Sequence, residues 1–224
     1  MNLSIKEVAA LFGVECADQT MISSVEFDSR LVTTDSLFVP LAGTRDGHEF
    51  AQQAQEKGAI AAFWSHPTIQ PPEGLMIIEV SDTLAAFQKL AKFYKEKLAP
   101  KVIAITGSNG KTTTKDMVDA VVAQQFKTYK TQGNHNNEIG LPLTILHAPA
   151  DTEVLVLEMG MDHAGEIEVL SHLAQPDVAA ITLIGEAHIE NLGSREGIAK
   201  AKMEITAGLD PAGFFMIPAD EPLL

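Results

Sequence analysis

The chain has 224 residues, enough for one large domain or two modest ones, and 46% of them are hydrophobic, so it can form a sizeable core. The formal net charge of -14 argues against a nucleic-acid backbone or an anionic membrane as the main partner. The single cysteine, Cys16, excludes a disulfide framework and fits a reducing compartment. Because no leader pattern and no apolar run of about 18 residues occurs, we expect a soluble cytoplasmic protein without membrane insertion.

The first third of the chain alternates short apolar segments with helical patterns, which is typical of an α/β fold. A helix is predicted near residues 49–57, and strands are predicted at residues 24–27, 36–41, 59–64 and 75–80. A second helix follows, because apolar side chains recur at three- and four-residue spacing from Leu84 to Tyr94 before Pro100 stops the pattern. We place a domain boundary near Asp82, which divides the chain into residues 1–82 and residues 83–224.

From residue 101 onwards the pattern is more regular. The segment "KVIAIT" (101–106) predicts a buried strand, which a loop and a helix over residues 111–125 follow. Two more strands are predicted at residues 153–160 and 178–185, with a helix around Ile167 and Leu173 between them. This alternation predicts a mostly parallel sheet with functional sites at the carboxyl ends of its strands. The last residues form a predicted strand and loop without a closing helix, so we expect a truncated domain.

The segment "ITGSNGKTTT" (105–114) connects the strand at residues 101–106 to the next helix. The common phosphate-binding loop reads Gly, four residues, Gly, Lys and Ser or Thr, but here Ile105 stands where the first glycine should be, and Gly107 lies further on. The context still predicts a nucleotide site, because backbone N–H groups at a glycine turn and a helix N-terminus would face a phosphate. The alternative is a Gly-Asn turn before an ordinary helix. The predicted nucleotide-binding residues are Gly107, Ser108, Asn109, Gly110, Lys111, Thr112 and Thr113.

Three side chains of this region are candidates for a metal ion beside the phosphates. The Thr112 hydroxyl can bind Mg²⁺ between phosphate groups. Glu158 closes the apolar segment "EVLVLE", where an isolated carboxylate would need a cation. His188 follows the strand at residues 178–185; taken alone it is better explained as a hydrogen-bonded loop histidine, but beside a phosphate loop a metal role is favoured.

A polar segment is a further candidate for the functional site. Residues 131–142 contain Asn134, His135, Asn136 and Asn137, which form either a substrate-binding loop or a plain surface loop.

In "GIAKAKMEITAGL" (197–209), helical periodicity places Lys202 on the apolar stripe with Ile198 and Ile205, and Lys200 on the opposite face. We expect Lys202 to point inward near the phosphate site; the alternative is a lysine that snorkels from the edge of the stripe.

Four motifs together resemble the Mur ligases, and within that family the members that add a dipeptide: "TGSNGKTTTK", "GNHNNEIGLPLTIL", "LEMGMDHAGEI" and "HIENLGSREGIAKAKMEI". The relaxed phosphate loop is the form that this family uses. In the first third, "FDSR" (27–30) and "LFVPLAGTRDGHEF" (37–50) are similar to the family's UDP-substrate segment. The segment "PAD" (218–220) departs from the family pattern, which has Asn in place of Pro218.

The resemblance covers essentially the whole chain and implies its architecture. Residues 1–82 would form a small α/β domain that binds the UDP end of the substrate, and residues 83–224 most of a P-loop central domain. The family's C-terminal domain would be absent, so this chain would be inactive by itself. The implied substrate-binding residues are Ser29, Arg30, Gly43, Thr44, Arg45, Asp46, Gly47, His48 and Asn134.

The resemblance also implies a reaction, in which ATP converts the terminal carboxylate of UDP-N-acetylmuramoyl-tripeptide into an acyl phosphate for peptidoglycan synthesis. The amine of D-alanyl-D-alanine then forms the amide. Of two implied Mg²⁺ ions, Thr112 and Glu158 would hold one, and His188 and a carbamate on Lys202 the other. The implied catalytic residues are Lys111, His188, Lys202 and Asn137.

We expect a monomer with no nucleic-acid partner. Two alternatives remain open at this point: a sister ligase that adds a single amino acid, and, for this stretch of chain, a non-catalytic module that binds the UDP-substrate or a nucleotide.

Overall fold

The computed structural model describes residues 1–224, which divide into a first unit, Met1–Tyr94, and a second unit, Lys95–Leu224. The division falls inside helix α3 (Thr83–Leu98), whereas the boundary expected near Asp82 lies at the start of that helix. None of the helices has the length and apolar character that crossing a bilayer would take.

The first unit contains a four-stranded sheet in which every neighbouring pair is parallel, in the order β1-β2-β3-β4. Its core packs α2 against the sheet through Ala51 and Ala54 of the helix and Phe38, Ala62 and Trp64 of the strands. The strands are β1 (Val25–Glu26), β2 (Ser36–Phe38), β3 (Ala59–Trp64) and β4 (Met76–Glu79), and the other elements are α1 (Ile5–Leu11), a 3₁₀ helix (Gly47–Phe50) and α2 (Ala51–Glu56).

The four strands predicted in this region are confirmed, three of them with shorter bounds. The single helix predicted near residues 49–57 is divided, because Asp46 caps a 3₁₀ turn before α2 begins at Ala51. Helix α1 was not predicted, although Ser4 and Glu7 form a capping box at its start.

The second unit contains a five-stranded sheet, again parallel throughout, in the order β6-β7-β5-β8-β9. The prediction of a mostly parallel sheet is confirmed. Its strands are β5 (Lys101–Thr106), β6 (Thr128–Lys130), β7 (Val154–Glu158), β8 (Val178–Ile181) and β9 (Phe214–Met216), and its helices are α4 (Lys111–Val122), α5 (Gly140–His147), α6 (Glu166–Ala174), α7 (Ile189–Leu192) and α8 (Arg195–Met203).

The three central strands of this sheet end at the same level. Ile105 pairs with Glu158 on one side, and Thr106 pairs with Ile181 on the other. Every residue of β7 is buried, as expected for a parallel strand covered on both faces. The loops that follow β5, β7 and β8 therefore emerge side by side at one edge, where parallel sheets place their sites.

Several predicted bounds are wrong. Helix α4 ends at Val122, β8 ends at Ile181, and α8 ends at Met203, where the 3₁₀ turn Glu204–Thr206 follows. Strand β6 and helices α5 and α7 were not predicted. Each of these three elements is short, so its pattern is too brief to show a period.

Glu204 is the first residue after α8, and its side chain contacts another helix. Helix α6 has Gly165 at its N-cap position, which offers no side chain to accept from the first turn. The two carboxylate oxygens of Glu204 take over, accepting from the Gly165 N–H at 2.8 and 3.0 Å, and Oε2 also accepts from the Glu168 N–H at 3.3 Å. A carboxylate at a helix N-terminus also interacts favourably with the helix dipole.

We predict that Glu204→Ala lowers the free energy of unfolding by about 1 kcal/mol, the usual effect of removing an N-cap side chain. Urea denaturation followed by circular dichroism measures this change. The matched control is Glu190→Ala, which removes an exposed glutamate from α7 and should change stability by less than about 0.5 kcal/mol. Equal stability of the two variants would contradict the capping role.

Candidate active site

The loop between β5 and α4 is built for close approach of an anion. Gly107 has a φ of 152° and Gly110 a φ of 80°, both in the region that favours glycine. A Cβ atom on Gly107 would collide with the Thr182 side chain, whose hydroxyl donates to the Asn109 carbonyl at 2.6 Å. No side chain caps the start of α4 at Gly110, so its first N–H groups are available to a phosphate.

Ser108 and Lys111 hold the loop in shape. The Ser108 hydroxyl accepts from the Gly185 N–H at 2.9 Å, which joins this loop to the one after β8. The Lys111 ammonium folds back and donates to the Gly107 carbonyl at 2.9 Å. The positive charge is therefore already ordered over the loop.

Glu158 lies at the centre of the site and is 3% exposed. Its Oε2 accepts from the Thr112 hydroxyl at 2.8 Å, its Oε1 accepts from the Asn136 amide at 2.9 Å, and its backbone N–H donates to the Thr131 hydroxyl at 2.9 Å. All three partners are neutral. A buried carboxylate without an ion-paired cation is costly, so this arrangement favours the arrival of one.

The donor set around Glu158 fits Mg²⁺ because its carboxylate and the Thr112 hydroxyl are oxygen ligands, which this ion prefers. No group of three or more His, Cys, Asp or Glu side chains comes together as a metal cluster. A Mg²⁺ ion here would draw its remaining ligands from phosphate oxygens and water, as it commonly does at nucleotide sites.

Lys202 is buried, with 2% of its surface exposed, while Lys200 is exposed, so the predicted helix register is confirmed. Burial, and to a smaller extent the positive charge of Lys111, together lower the pKa of Lys202 to about 8, so these two lysines lie within electrostatic reach of each other. Of the lysine's two protonation states, burial favours the neutral amine.

His188 and Asn137 have local partners of their own. The His188 Nδ1 lies 3.1 Å from the Asp162 carboxylate, in the loop after β7, and no hydrogen bond joins His188 to Lys202 or Glu158. Asn137 accepts from the Gly140 N–H at 2.9 Å, at the start of α5, and is exposed.

The residue of the polar segment that reaches Glu158 is Asn136, while Asn134 is exposed. The sequence pattern did not distinguish Asn136 from its neighbours. Gly160 accommodates this residue, because a Cβ atom there would lie 2.9 Å from the Asn136 side chain.

In the first unit, the segment from Gly43 to His48 forms a tight turn. Ala42 and Asp46 are bridged across it, and the Gly43 N–H donates to the Arg45 carbonyl at 3.2 Å, with Thr44 exposed at the tip. At Gly47, a Cβ atom would lie 2.6 Å from the backbone of Leu41, so only glycine fits.

Asp46 and His48 stiffen the end of this turn. The His48 Nε2 accepts from the Ser65 N–H at 3.3 Å, so its proton is on Nδ1, which donates to Asp46 at 2.6 Å. Burial opposes ionisation of Asp46, but hydrogen bonds from the backbone and ring of His48 outweigh it and lower the pKa of the Asp46 carboxyl.

The other predicted substrate residues differ in exposure. Ser29 is buried and donates to Gln53 at 2.6 Å. Arg30 is exposed and pairs in bidentate fashion with Asp28, at 2.9 Å for Nε and 2.7 Å for the terminal nitrogen. Arg45 pairs with Glu49 at 2.6 Å. The two arginines are the accessible cations of this group.

Comparison with known families adds to this geometry. Residues 105–224 match the Mur ligase middle domain, and residues 21–95 match the Mur ligase family catalytic domain. The chain belongs to the Mur ligase family. The resemblance drawn from the motifs is thereby confirmed.

Individual Mur ligases align over most of the chain. The UDP-N-acetylmuramoyl-tripeptide–D-alanyl-D-alanine ligase of Bacillus subtilis (strain 168) is 54% identical over 208 residues, which are 92% of this chain and 46% of that protein. The chain thus spans about half the length of the curated relatives that it matches.

Solved structures of Mur ligases share the fold. A crystal structure of MurF from Acinetobacter baumannii has a TM-score of 0.90 and 32% identity, covering 99% of this chain and 50% of that one. MurF from Thermotoga maritima, solved in complex with ADP, has a TM-score of 0.81 and 35% identity, covering 89% of this chain and 46% of that one.

We predict that Gly107→Ala weakens binding of ADP at least about tenfold, or about 1.4 kcal/mol, because the added methyl group displaces the loop from Thr182. Fluorescence titration with an ADP analogue in the presence of Mg²⁺ measures this. The control is Gly193→Ala, which also lies at a positive φ (80°) but whose Cβ atom would meet nothing within 4 Å. If both variants bound ADP as the unmodified protein does, the loop would not be the phosphate site.

Proposed function

We propose that the complete protein containing this chain is an ATP-dependent amide ligase that joins D-alanyl-D-alanine to UDP-N-acetylmuramoyl-tripeptide in peptidoglycan synthesis. The observation that carries the proposal is the contact of Thr112 with the buried Glu158 beside a phosphate loop, in a chain 54% identical to a ligase of that name. Because ATP and a UDP-linked substrate are consumed, we propose that the protein acts in the cytoplasm. We also propose that it is a monomer.

Two nucleophilic steps make up the proposed reaction. The terminal carboxylate of the tripeptide takes the γ-phosphoryl group of ATP, which forms an acyl phosphate and releases ADP. The amine of D-alanyl-D-alanine then attacks the acyl carbon, the tetrahedral intermediate expels phosphate, and the amine proton passes to solvent. Negative charge develops in both steps, so the residues that matter are those that present positive charge or N–H groups.

Lys111 and the loop supply these groups. The N–H groups of Gly107 and of Asn109 to Thr113 bind the phosphates, while the Ser108 N–H donates to the Leu183 carbonyl at 3.0 Å. Lys111 exchanges its bond with the Gly107 carbonyl for one with a phosphate oxygen. Thr112 and Glu158 would hold a Mg²⁺ ion, whose chemistry when bound is to neutralise the developing charge of the transferred phosphoryl group.

Lys202 and His188 are the proposed residues for a second Mg²⁺ ion. A neutral lysine amine can attack CO₂, forming an N–C bond and losing a proton, which yields an anionic carbamate. The lowered pKa of Lys202 supports this step, because only the neutral amine is nucleophilic. A carbamate also replaces a cation that Lys111 repels with oxygen ligands that suit Mg²⁺.

Substrate binding is assigned to both units. We propose that Ser29, Arg30 and the turn from Gly43 to His48 bind the UDP portion, with Asn134 as a further substrate contact. Asn137 and His188 are proposed to lie near the reacting carboxylate. The exposed guanidinium groups of Arg30 and Arg45 support this assignment, since a diphosphate needs accessible cations in a protein of net charge -14.

We predict that the complete protein converts ATP, UDP-N-acetylmuramoyl-tripeptide and D-alanyl-D-alanine into ADP, phosphate and the extended peptide. Lys111→Ala should abolish phosphate release and product formation, because the positive charge that contacts the transferred phosphoryl group is lost. Coupled phosphate release with mass spectrometry of the product measures both.

Two controls sharpen this test. In the first control, single amino acids are supplied in place of D-alanyl-D-alanine. Extension of the tripeptide by a single amino acid would favour the sister-ligase alternative. Calorimetric titration with UDP-N-acetylmuramoyl-tripeptide should give equal affinity for Lys111→Ala and the unmodified protein, because the UDP site is assigned to other residues. A loss of UDP-substrate affinity as steep as the loss of activity would contradict the two-site assignment.

We predict that Lys202→Ala abolishes ligation, that short-chain carboxylic acids partly restore it, and that Lys200→Ala has nearly full activity. The carbamate is tested directly with ¹³C-labelled bicarbonate and NMR. Its ¹³C signal should be present in the unmodified protein and in Lys200→Ala, and absent in Lys202→Ala. A carbamate signal that persists in Lys202→Ala would refute its assignment to this lysine.

A further inference from the structure

Lys115 is a buried lysine that the proposed reaction does not use. It lies on α4 and is 3% exposed. Its ammonium donates to the Thr131 carbonyl at 2.8 Å, and the carboxylate of the half-exposed Asp116 is 3.4 Å away. Burying an ammonium group is unfavourable when a methionine would fill the same volume, so the contact with Thr131 requires an explanation.

The helix register of α4 connects Lys115 to the active site. Thr112 and Lys115 are three residues apart, so they lie on the same face of the helix. Thr112 reaches Glu158, the last residue of β7, and Lys115 reaches Thr131, the residue that follows β6. One face of α4 therefore contacts the ends of both β6 and β7.

Thr131 transmits this contact to Glu158. It is fully buried, its N–H donates to the Val156 carbonyl at 3.1 Å, and its hydroxyl accepts from the Glu158 N–H at 2.9 Å. The loop that begins at Thr131 also supplies Asn136, whose amide donates to the Glu158 carboxylate at 2.9 Å. Displacing Thr131 would move a backbone contact of Glu158 and the base of a loop that contacts its side chain.

We propose that Lys115 is a positioning residue that ties α4 to the loop at residues 131–139 and thereby holds Glu158 in the orientation that Mg²⁺-nucleotide requires. The inference rests on the proposed function of the site. Lys115 touches neither nucleotide nor metal; it acts through Thr131. Partners at one remove from a metal ligand commonly change metal affinity about 10- to 100-fold when they are lost.

The test compares Lys115→Met with Lys95→Met in the complete protein. Methionine keeps the length of the side chain and removes its donors. Lys95 is a matched control, because it is also buried and donates to a backbone carbonyl, that of Ala174 at the end of α6, at 3.1 Å. The readout is Mg²⁺ titration of the fluorescence of a bound ADP analogue, together with binding in excess chelator and the melting temperature.

Lys115→Met should raise the apparent Kd for Mg²⁺ about tenfold and change metal-free ADP affinity by less than about twofold. Lys95→Met should lower the melting temperature without changing the Kd for Mg²⁺. A folded Lys115→Met with an unchanged Kd for Mg²⁺ would overturn the inference.

A second pair of variants covers the case in which Lys115→Met does not fold. Thr131→Val removes the hydroxyl that accepts from Glu158, and Thr131→Ser keeps it. Thr131→Val should raise the Kd for Mg²⁺ and Thr131→Ser should not; equal values would overturn the inference. If the unmodified protein bound ADP without any Mg²⁺ dependence, the proposed metal site would itself be refuted, which is distinct from failure of Lys115 alone.

Discussion

The second unit is organised around one unfavourable group, the buried carboxylate of Glu158. The carboxylate accepts from the start of α4 and from the polar loop before α5, and the residue after β6 accepts from the backbone N–H of Glu158. Each contact is a neutral hydrogen bond, so solvation by water is replaced while the negative charge is left uncompensated. This arrangement favours the arrival of a cation, because no permanent salt bridge occupies the carboxylate.

The parallel sheet makes this arrangement possible. Strands β7, β5 and β8 end at the same level, so the loops that follow them lie side by side. The chain has a large excess of acidic residues, yet Lys111 and Lys202 come within electrostatic reach at this edge. A few cations gathered at one edge of the sheet in an acidic protein favour an anionic ligand there over the rest of the surface.

The sequence was sufficient where a pattern is both local and repeated. Strand β5 and the start of α4 were predicted to the residue, since an apolar run, two glycines and a helix start follow in order. The inward position of Lys202 followed from the period of the helix alone. The family motifs also predicted the phosphate loop and the membership of the chain in the Mur ligase family.

Contacts between segments that are distant in the chain could not be predicted from the sequence. Asn136 and Asn137 are adjacent polar residues, and only the path of the chain after the three-residue strand β6 decides that the first turns to Glu158 and the second to the start of α5. Lys115 looks like any lysine of an amphipathic helix until the Thr131 carbonyl is found beside it. The cap of α6 depends on Glu204, which is 39 residues away from Gly165 in the sequence.

The bond from Lys111 to the Gly107 carbonyl has a thermodynamic consequence for ligand capture. A free lysine on the surface samples many rotamers, and ordering it takes up to about 2 kcal/mol of conformational entropy. Here that ordering has taken place during folding, within the loop itself. Phosphate therefore meets an ammonium group that is already localised and only has to change its acceptor from one oxygen to another.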